Sequence, residues 1–310
     1  MESVKVKVRV NAQCPPEVER AMKQVRAILA FAVILSSTVH AQWPKFTTPS
    51  VPKTADGKVD MTAPAPRSPD GKPDLSGVWE TIQGRRGGGP APPVAAAGTG
   101  ELPPSGSLFG NIGDQVGGAP YQPWAAELVK KRMADNSKDN PDAHCLPLGI
   151  MQNTTHPFPK KIIQTPAEVI LIYEGSATTV REVYLDGRTP DPDADPWYQG
   201  YSIGRWEGDT LVVETTNFID DDHWTTWLDV RGSPLTRNGK IIERFRRPNF
   251  GSLVIEVTID DPKAYTKPFT ATINNRLLSD TQLIEFVCID KSADHYVGSD
   301  GKAGAPRQVK

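Results

Sequence analysis

The feature that most restricts the fold of this chain is a period-two alternation of apolar and polar residues in its C-terminal half. Residues 253–259 place four aliphatic side chains on one face of an extended chain, and Glu256 and Thr258 on the other. Similar runs, bounded by turn residues, predict about eight short strands in the last 150 residues, and a first strand at residues 75–81 precedes them. They occupy residues 75–81, 168–174, 180–186, 202–206, 210–217, 241–247, 253–259, 269–278 and 283–289.

Short turns between successive strands favour antiparallel pairing. Such a sheet has to bury one face and protect its edges, so we expect a mainly β fold, an antiparallel meander closed into a barrel, with a β-sandwich as the alternative. One helix is predicted near residues 123–135, because Pro123 suits the first helical turn and the apolar residues that follow share a face. The connections at residues 189–200 and 219–240 then become rim loops.

The N-terminal region has the pattern of an export signal. Residues 27–41 are apolar, follow Lys23 and Arg26, and end in Val-His-Ala. This stretch is shorter than the roughly 20 residues that span a bilayer, so residues 1–41 indicate a signal region cleaved after Ala41, with Met22 as the true start. The mature protein is then periplasmic or secreted and has no transmembrane segment. An uncleaved N-terminal anchor is the alternative.

Changes in composition divide residues 42–310 into three predicted segments. Residues 42–72 are rich in Pro, Thr, Ser and Lys and suggest an extended tether. A β domain over residues 73–298 follows, with a low-complexity loop at residues 83–107, and residues 299–310 form a tail. The chain carries 35 Lys and Arg against 37 Asp and Glu, and loss of the signal region makes it more acidic. A nucleic-acid partner is therefore not expected.

The predicted signal region determines which cysteines the mature chain keeps. Cys14 lies before the predicted start, so the mature chain keeps Cys145 and Cys288. An even pair in an oxidising compartment predicts a disulfide between them. Two buried thiols are the alternative, and a metal pair is less favoured because neither cysteine has a C-x-x-C neighbour.

Several longer phrases make the chain similar to a family of uncharacterised exported bacterial proteins. They are PDGKPDLSGVW, QPWAAELVKKRM, CLPLG, GRWEGDTLVVETTNF and IDDPKAYTKPF. The resemblance extends from about Arg67 to Gly298. It implies secretion and a β-rich, lipocalin-like barrel, and it carries over no catalytic residue.

The sequence predicts neither a metal site nor a cofactor. The histidines of the mature chain lie in loops without ligand spacing, and no phosphate loop or dinucleotide fingerprint occurs. Aspartates at residues 191–195 and 220–222 could suit calcium, but Pro192 and Pro196 favour a rigid turn in the first group.

Charged and aromatic residues within the strands carry the functional prediction, because those that face a barrel interior must be paired there. We predict a barrel that binds a small polar or amphipathic molecule in its interior, through Trp197, Tyr201, Arg205, Trp206 and Arg244. The alternative is a cofactor-independent lyase, isomerase or hydrolase. Its general base would be Glu174 or Glu243, and its electrostatic stabiliser Tyr173 or Arg181. Cross-strand ion pairs on a solvated outer face could also explain these residues.

Overall fold

The computed structural model describes residues 50–82, 119–175, 179–191, 193–220 and 225–286. The predicted signal region and tail, the low-complexity loop at residues 83–107, and residues 287–298 lie outside these ranges. The described strands are β1 (Gly77–Thr81), β2 (Lys160–Gln164), β3 (Glu168–Tyr173), β4 (Val180–Tyr184), β5 (Tyr201–Glu207), β6 (Thr210–Thr216), β7 (Thr226–Trp227), β8 (Pro234–Leu235), β9 (Lys240–Asn249), β10 (Ser252–Asp260) and β11 (Phe269–Leu277).

Nine of these strands close into one barrel, which confirms the predicted mainly β barrel. Their order around it is β1-β11-β10-β9-β6-β5-β4-β3-β2, and β7 and β8 form a separate two-stranded sheet. The strand β10 pairs with β9 on one side and β11 on the other, and its four alternating aliphatic side chains are fully buried inside the barrel. Closure at this strand number leaves an interior that side chains can fill.

One pair of strands departs from the antiparallel pattern. The strands β4 and β5 run parallel, and only Val183↔Ser202 and Tyr184↔Ile203 are paired between them. The chain has to return to the same end of the barrel before β5 begins, which the long connection at residues 185–200 permits. A pocket lies beside this short ladder.

The last predicted strand does not form within its described part, residues 283–286. The barrel already closes without it, because β1 pairs with both β11 and β2. The alternation does not predict β2 as a separate strand. The strand β2 pairs with β1 on one side and β3 on the other, and so completes the barrel wall.

The predicted helix is present as α1 (Pro123–Ala134), and a shorter helix follows as α2 (Ile150–Thr155). The expected apolar face of α1 is only partly used, since Ala125 and Val129 are buried but Trp124 is 47% exposed. All six residues of α2 are buried. Within the described ranges, no helix has both the length and the apolar character needed to cross a membrane.

The helix α2 closes one end of the barrel, which we call the upper end. It lies where β1 ends and β2 begins. The backbone oxygen of Thr154 accepts hydrogen bonds from Thr81 Oγ1 at 2.7 Å and from Lys160 Nζ at 3.1 Å. Side chains of β1 and β2 thereby satisfy a buried backbone oxygen of α2.

The lower end is covered by residues 50–76, most of which were predicted as an extended tether. They form two turns of nearly the same sequence and hydrogen bonding, with Lys53↔Val59 and Arg67↔Pro73 as their closing bridges. Each turn contains Asp-Gly-Lys, and Gly57 and Gly71 adopt φ of 80° and 78°, a conformation that favours glycine. The tandem repeat is visible in the sequence but was missed.

Arg247 fastens this N-terminal segment to the barrel. Its Nη1 donates to the backbone oxygens of Asp74 and Ser76, and its Nη2 donates to Phe250 O at 2.7 Å. The guanidinium also lies 4.9 Å from the ring centroid of Trp79. Burial lowers the pKa of Arg247 to about 10.

Candidate binding site

The upper half of the barrel interior contains a group of polar side chains that we call the polar cluster. They project inward from eight strands, and each is at most 3% exposed. The members are Thr81, Lys160, Tyr173, Arg181, Ser202, Thr215, Glu243 and Asn275. Buried charges are costly unless they are paired and hydrogen-bonded, so the partners of these groups matter.

An ion pair between Arg181 on β4 and Glu243 on β9 forms the centre of the polar cluster. The two side chains are 1% and 0% exposed, and Arg181 Nη2 donates to Glu243 Oε2. Arg181 also donates from Nε to Ser202 Oγ at 3.0 Å and from Nη2 to Thr215 Oγ1 at 2.9 Å. Burial disfavours the guanidinium charge, but the Glu243 carboxylate outweighs it, and the pKa of Arg181 is raised.

A second cation, Lys160, lies in the same cluster without a carboxylate in hydrogen-bond contact among the described residues. Its Nζ donates to Thr81 Oγ1 at 2.8 Å and to the backbone oxygen of Thr154. Burial lowers the pKa of Lys160 to about 7, although the charges of Glu80 and Glu243 oppose that shift. Burial also raises the pKa of Tyr173, the cross-strand neighbour of Lys160.

A pocket opens in the barrel wall above the short parallel ladder between β4 and β5. Its volume is about 50 Å³. Sites that enclose whole drug-sized ligands have roughly 300–1,000 Å³, so this pocket has room for one small chemical group. The lining residues are Val180, Arg181, Glu182, Tyr184, Trp197, Gln199, Gly200, Tyr201 and Ser202.

Aromatic rings surround the mouth of this pocket. Trp197 is 51% exposed, and its ring centroid lies 6.2 Å from that of Tyr201. Tyr201 in turn lies 5.4 Å from Tyr184, whose ring carries the guanidinium of Arg188 at 3.8 Å. An exposed aromatic group of this kind can contact the flat or apolar part of a ligand.

Two residues of the pocket lining carry buried polar atoms that have no hydrogen-bond partner within the described part of the chain. They are Nη1 of Arg181, a donor, and Oε1 of Gln199, an acceptor. The Tyr173 hydroxyl is another such atom, and it interacts with the Arg181 guanidinium inside the barrel, so only the Gln199 oxygen is left without a candidate partner at the pocket. The other end of the Gln199 amide is fixed, because Nε2 donates to the backbone oxygen of Leu148. Buried polar groups are normally satisfied, so unpaired atoms at a pocket indicate a place for a ligand or water.

Three of the four predicted catalytic residues meet in the polar cluster. Tyr173, Arg181 and Glu243 all face the interior, but Glu174 follows Tyr173 and points away from it, with Oε2 accepting from Ile284 N at 3.1 Å. Glu174 therefore does not join the other three predicted residues in the polar cluster. Glu243 is ion-paired and does not line the pocket, so the structure gives no geometric support for its use as a general base.

Only two of the five predicted ligand-binding residues line the pocket. Trp197 and Tyr201 line the pocket, whereas Arg205 and Arg244 lie on the outer surface and both bind Glu207, at 2.9 and 2.8 Å. Trp206 is partly buried and packs on the hydrophobic core. Tyr201 and Arg205 share the outer face of β5, so their distance along the strand separates Arg205 from the pocket, whereas alternation turns Trp206 toward the core.

Several site residues were missed from the sequence: Lys160, Gln199, Ser202 and Thr215. A signal existed for Lys160, which stands two positions before Ile162 and so shares its inward face. Gln199 lies in a loop with no periodicity, and its position could not be derived from a pattern.

The described residues include one cysteine of the predicted disulfide and part of the aspartates considered for calcium. Cys145 follows the 3₁₀ helix Pro141–His144 in a left-handed conformation, but Cys288 lies outside the described residues, so their pairing stays a prediction. Asp221 and Asp222 are likewise outside. The residues that are described contain no group of three or more His, Cys, Asp or Glu able to hold a metal ion.

Fold and site together define a closed β-barrel with a buried ion pair beside a pocket in its wall. Comparison of the chain with protein-family models, curated proteins and solved structures finds no match.

Proposed function

We propose that this protein is an exported β-barrel that binds a small polar or amphipathic molecule at the pocket between β4 and β5. The observation that carries the proposal is the pocket itself, which is lined by the buried Gln199, whose Oε1 has no hydrogen-bond partner among the described residues. The exposed Trp197 at the mouth offers contact area for the rest of the ligand.

The proposed location differs from the barrel interior expected from the sequence. Large side chains fill that interior, including the fully buried Trp79, Ile162 and Leu171. A pocket of about 50 Å³ admits one polar group and leaves the body of the ligand on the aromatic mouth. We therefore place the ligand at the wall and not at the centre of the barrel.

A melting-temperature screen of the purified full chain against sugars, amides, amino acids and small carboxylates tests this function. We expect at least one class to raise the melting temperature of the wild type, because a ligand that binds only the folded state stabilises it. Replacement of Trp197 by alanine should weaken binding about tenfold or more through lost stacking area. The matched control is Trp124→Ala, a similarly exposed tryptophan on α1. Equal losses in the two variants would contradict the proposed site.

Export with cleavage after Ala41 is the second part of the proposal. It is supported by the basic, apolar and small-residue order of residues 22–41 and by the resemblance of the chain to exported proteins. In an oxidising compartment Cys145 and Cys288 should form a disulfide.

Mass spectrometry of the full-length chain expressed in a bacterial host with a periplasm tests export and the disulfide together. We expect a mature form that begins at Gln42 in the periplasmic or secreted fraction, with a mass lower by two hydrogens than that of the reduced chain. A cytoplasmic product that retains residues 1–41 would contradict export. Two alkylatable thiols in an exported product would contradict the disulfide alone.

A further inference from the structure

We infer that the pocket between β4 and β5 binds a short, extended, basic peptide, which pairs as an added strand with the open edge of β4. The inference rests on the proposed function and names the class of ligand that the site takes. Three observations carry it: an unpaired strand edge, a gap with aromatic groups at its mouth, and a rim of carboxylates.

The backbone groups of β4 point alternately toward its two neighbouring strands. Thr179 O accepts a hydrogen bond from Tyr173 N at 2.9 Å, and Leu185 N donates to Ala167 O at 2.8 Å. Both bonds lie on the side of β3 and flank a regular antiparallel ladder. The odd-numbered residues of β4 therefore direct their N–H and C=O groups toward β3, and the even-numbered residues direct theirs toward β5.

Only part of the edge that faces β5 is paired. The ladder with β5 begins at Val183↔Ser202, because the chain just before β5 turns away at Gly200, which has φ of 60°. Among the described residues, no strand therefore pairs with the N–H and C=O of Val180 or with the N–H of Glu182. This edge lines the pocket, and Val180 is 54% exposed, so a ligand can reach it. An open edge of this kind is a template for an extended peptide.

The gap beside the open edge defines the side chains of the peptide. It contains about 310 Å³ of empty space when its open mouth is included. Successive side chains of a strand point to opposite faces, so every second one would enter the wall, where a pocket of about 50 Å³ admits only a small group. The others would lie outside, beside Val180 and the rings of Trp197 and Tyr201. Aromatic and β-branched neighbours stabilise adjacent strands, so a small residue between two aromatic residues suits the gap.

The rim of the gap carries negative charge. Four exposed carboxylates border it, one on the open edge and three in the loop that leads to Trp197. They are Glu182, Asp191, Asp193 and Asp195. None of the four forms an ion pair with a described residue, and the nearby Arg188 is already paired with Asp186. Complementary charge therefore favours a peptide that carries Lys or Arg on both sides of its apolar centre.

Isothermal titration calorimetry of the wild-type full chain with the blocked peptide acetyl-Lys-Phe-Ala-Phe-Lys-amide tests the inference. We expect this peptide to bind about tenfold or more tightly than the same peptide with Glu in place of both Lys. Two further peptides carry N-methyl groups, one on both Phe amides and the other on the Ala and second Lys amides. These sets point to opposite edges of an extended peptide, so one should bind about tenfold or more weakly than the parent and the other nearly as well.

Amide hydrogen exchange and a proline variant test where the peptide pairs. The amides of Val180 and Glu182 should exchange rapidly in the free protein and slowly with the peptide bound. Replacement Val180→Pro removes an N–H that faces the gap, and Val180 is the first residue of β4, where proline leaves the ladder with β3 intact. This variant should bind the peptide about tenfold more weakly, whereas Val180→Thr keeps the N–H and should bind more tightly than Val180→Pro. Circular dichroism establishes that both variants are folded, and the wild-type measurements do not depend on them.

The outcomes separate this inference from the proposed function. No binding of the basic peptide, with a stabilising compound found in the melting-temperature screen, would overturn the inference and leave the small-molecule site in place. Absence of both would overturn both. Equal binding of the two N-methylated peptides, or protection of the Val180 and Glu182 amides before peptide is added, would show that the peptide does not pair with an open edge. A wild-type dimer in sedimentation that Val180→Pro dissociates would place a second copy of the chain there and overturn the inference.

Discussion

Replacement of Glu243 by glutamine is expected to lower the free energy of unfolding by about 3–5 kcal/mol, the usual cost of leaving a buried charge without its partner. Arg181 would keep its guanidinium in the barrel interior, where it is 2% exposed, with only neutral acceptors such as Ser202 Oγ and Thr215 Oγ1. Urea unfolding followed by circular dichroism gives the value.

The matched control for this variant is Arg244→Gln, on the same strand but on its outer face. Arg244 is 40% exposed and pairs with Glu207, so the expected change is about 0.5 kcal/mol or less. The double variant Arg181→Met/Glu243→Leu should recover most of the loss, because an apolar pair avoids the desolvation of both charges. A loss below about 1 kcal/mol in Glu243→Gln would mean that the ion pair is not buried as described.

The second large effect is a dependence of stability on pH that Lys160 produces. Its pKa is about 7 in the folded protein and near 10.5 when exposed. Between these values the unfolded chain binds a proton that the folded chain lacks, so the free energy of unfolding rises with pH. The contribution is up to about 1.4 kcal/mol per pH unit over most of this window, and it vanishes below pH 7 as both states become protonated.

The measurement compares urea unfolding of the wild type and Lys160→Met at several pH values from 6 to 10. We expect the free energy of unfolding of the wild type to rise with pH above pH 7, relative to that of Lys160→Met. Below pH 7 the difference between the two proteins should be nearly constant. The control is Lys161→Met, whose side chain is exposed on the outer face of β2. A pH dependence shared by Lys160→Met and the wild type would exclude Lys160 as its source.

Glu243 and Lys160 both help to hold the upper half of the barrel in place. Glu243 on β9 holds Arg181 on β4, three strands away around the barrel, and Lys160 holds α2 through a hydrogen bond to Thr154 O. Arg181 lines the pocket and Glu243 does not, so Glu243 acts on the pocket through its ion pair with Arg181. We therefore regard Glu243 as a positioning residue for the proposed site.

Alternation along the strands was sufficient to predict the barrel. The inward set of β10 follows from the chain alone, because each apolar side chain at every second position must turn toward a common core. The same argument predicted that some of the charged residues in the strands face inward, and the structure identifies Arg181 and Glu243 among them. Pro123 similarly located the start of α1, since its ring favours the first helical turn.

Only the tertiary structure decided which inward residues meet and where the barrel wall opens. Arg181 and Glu243 lie 62 positions apart, and their contact depends on the order of strands around the barrel. The parallel pairing of β4 with β5, and with it the pocket beside Gln199, depends on how the connection at residues 185–200 runs. Periodicity is a local property that fixes the face of a side chain, whereas neighbours across a barrel are set by closure of the whole sheet.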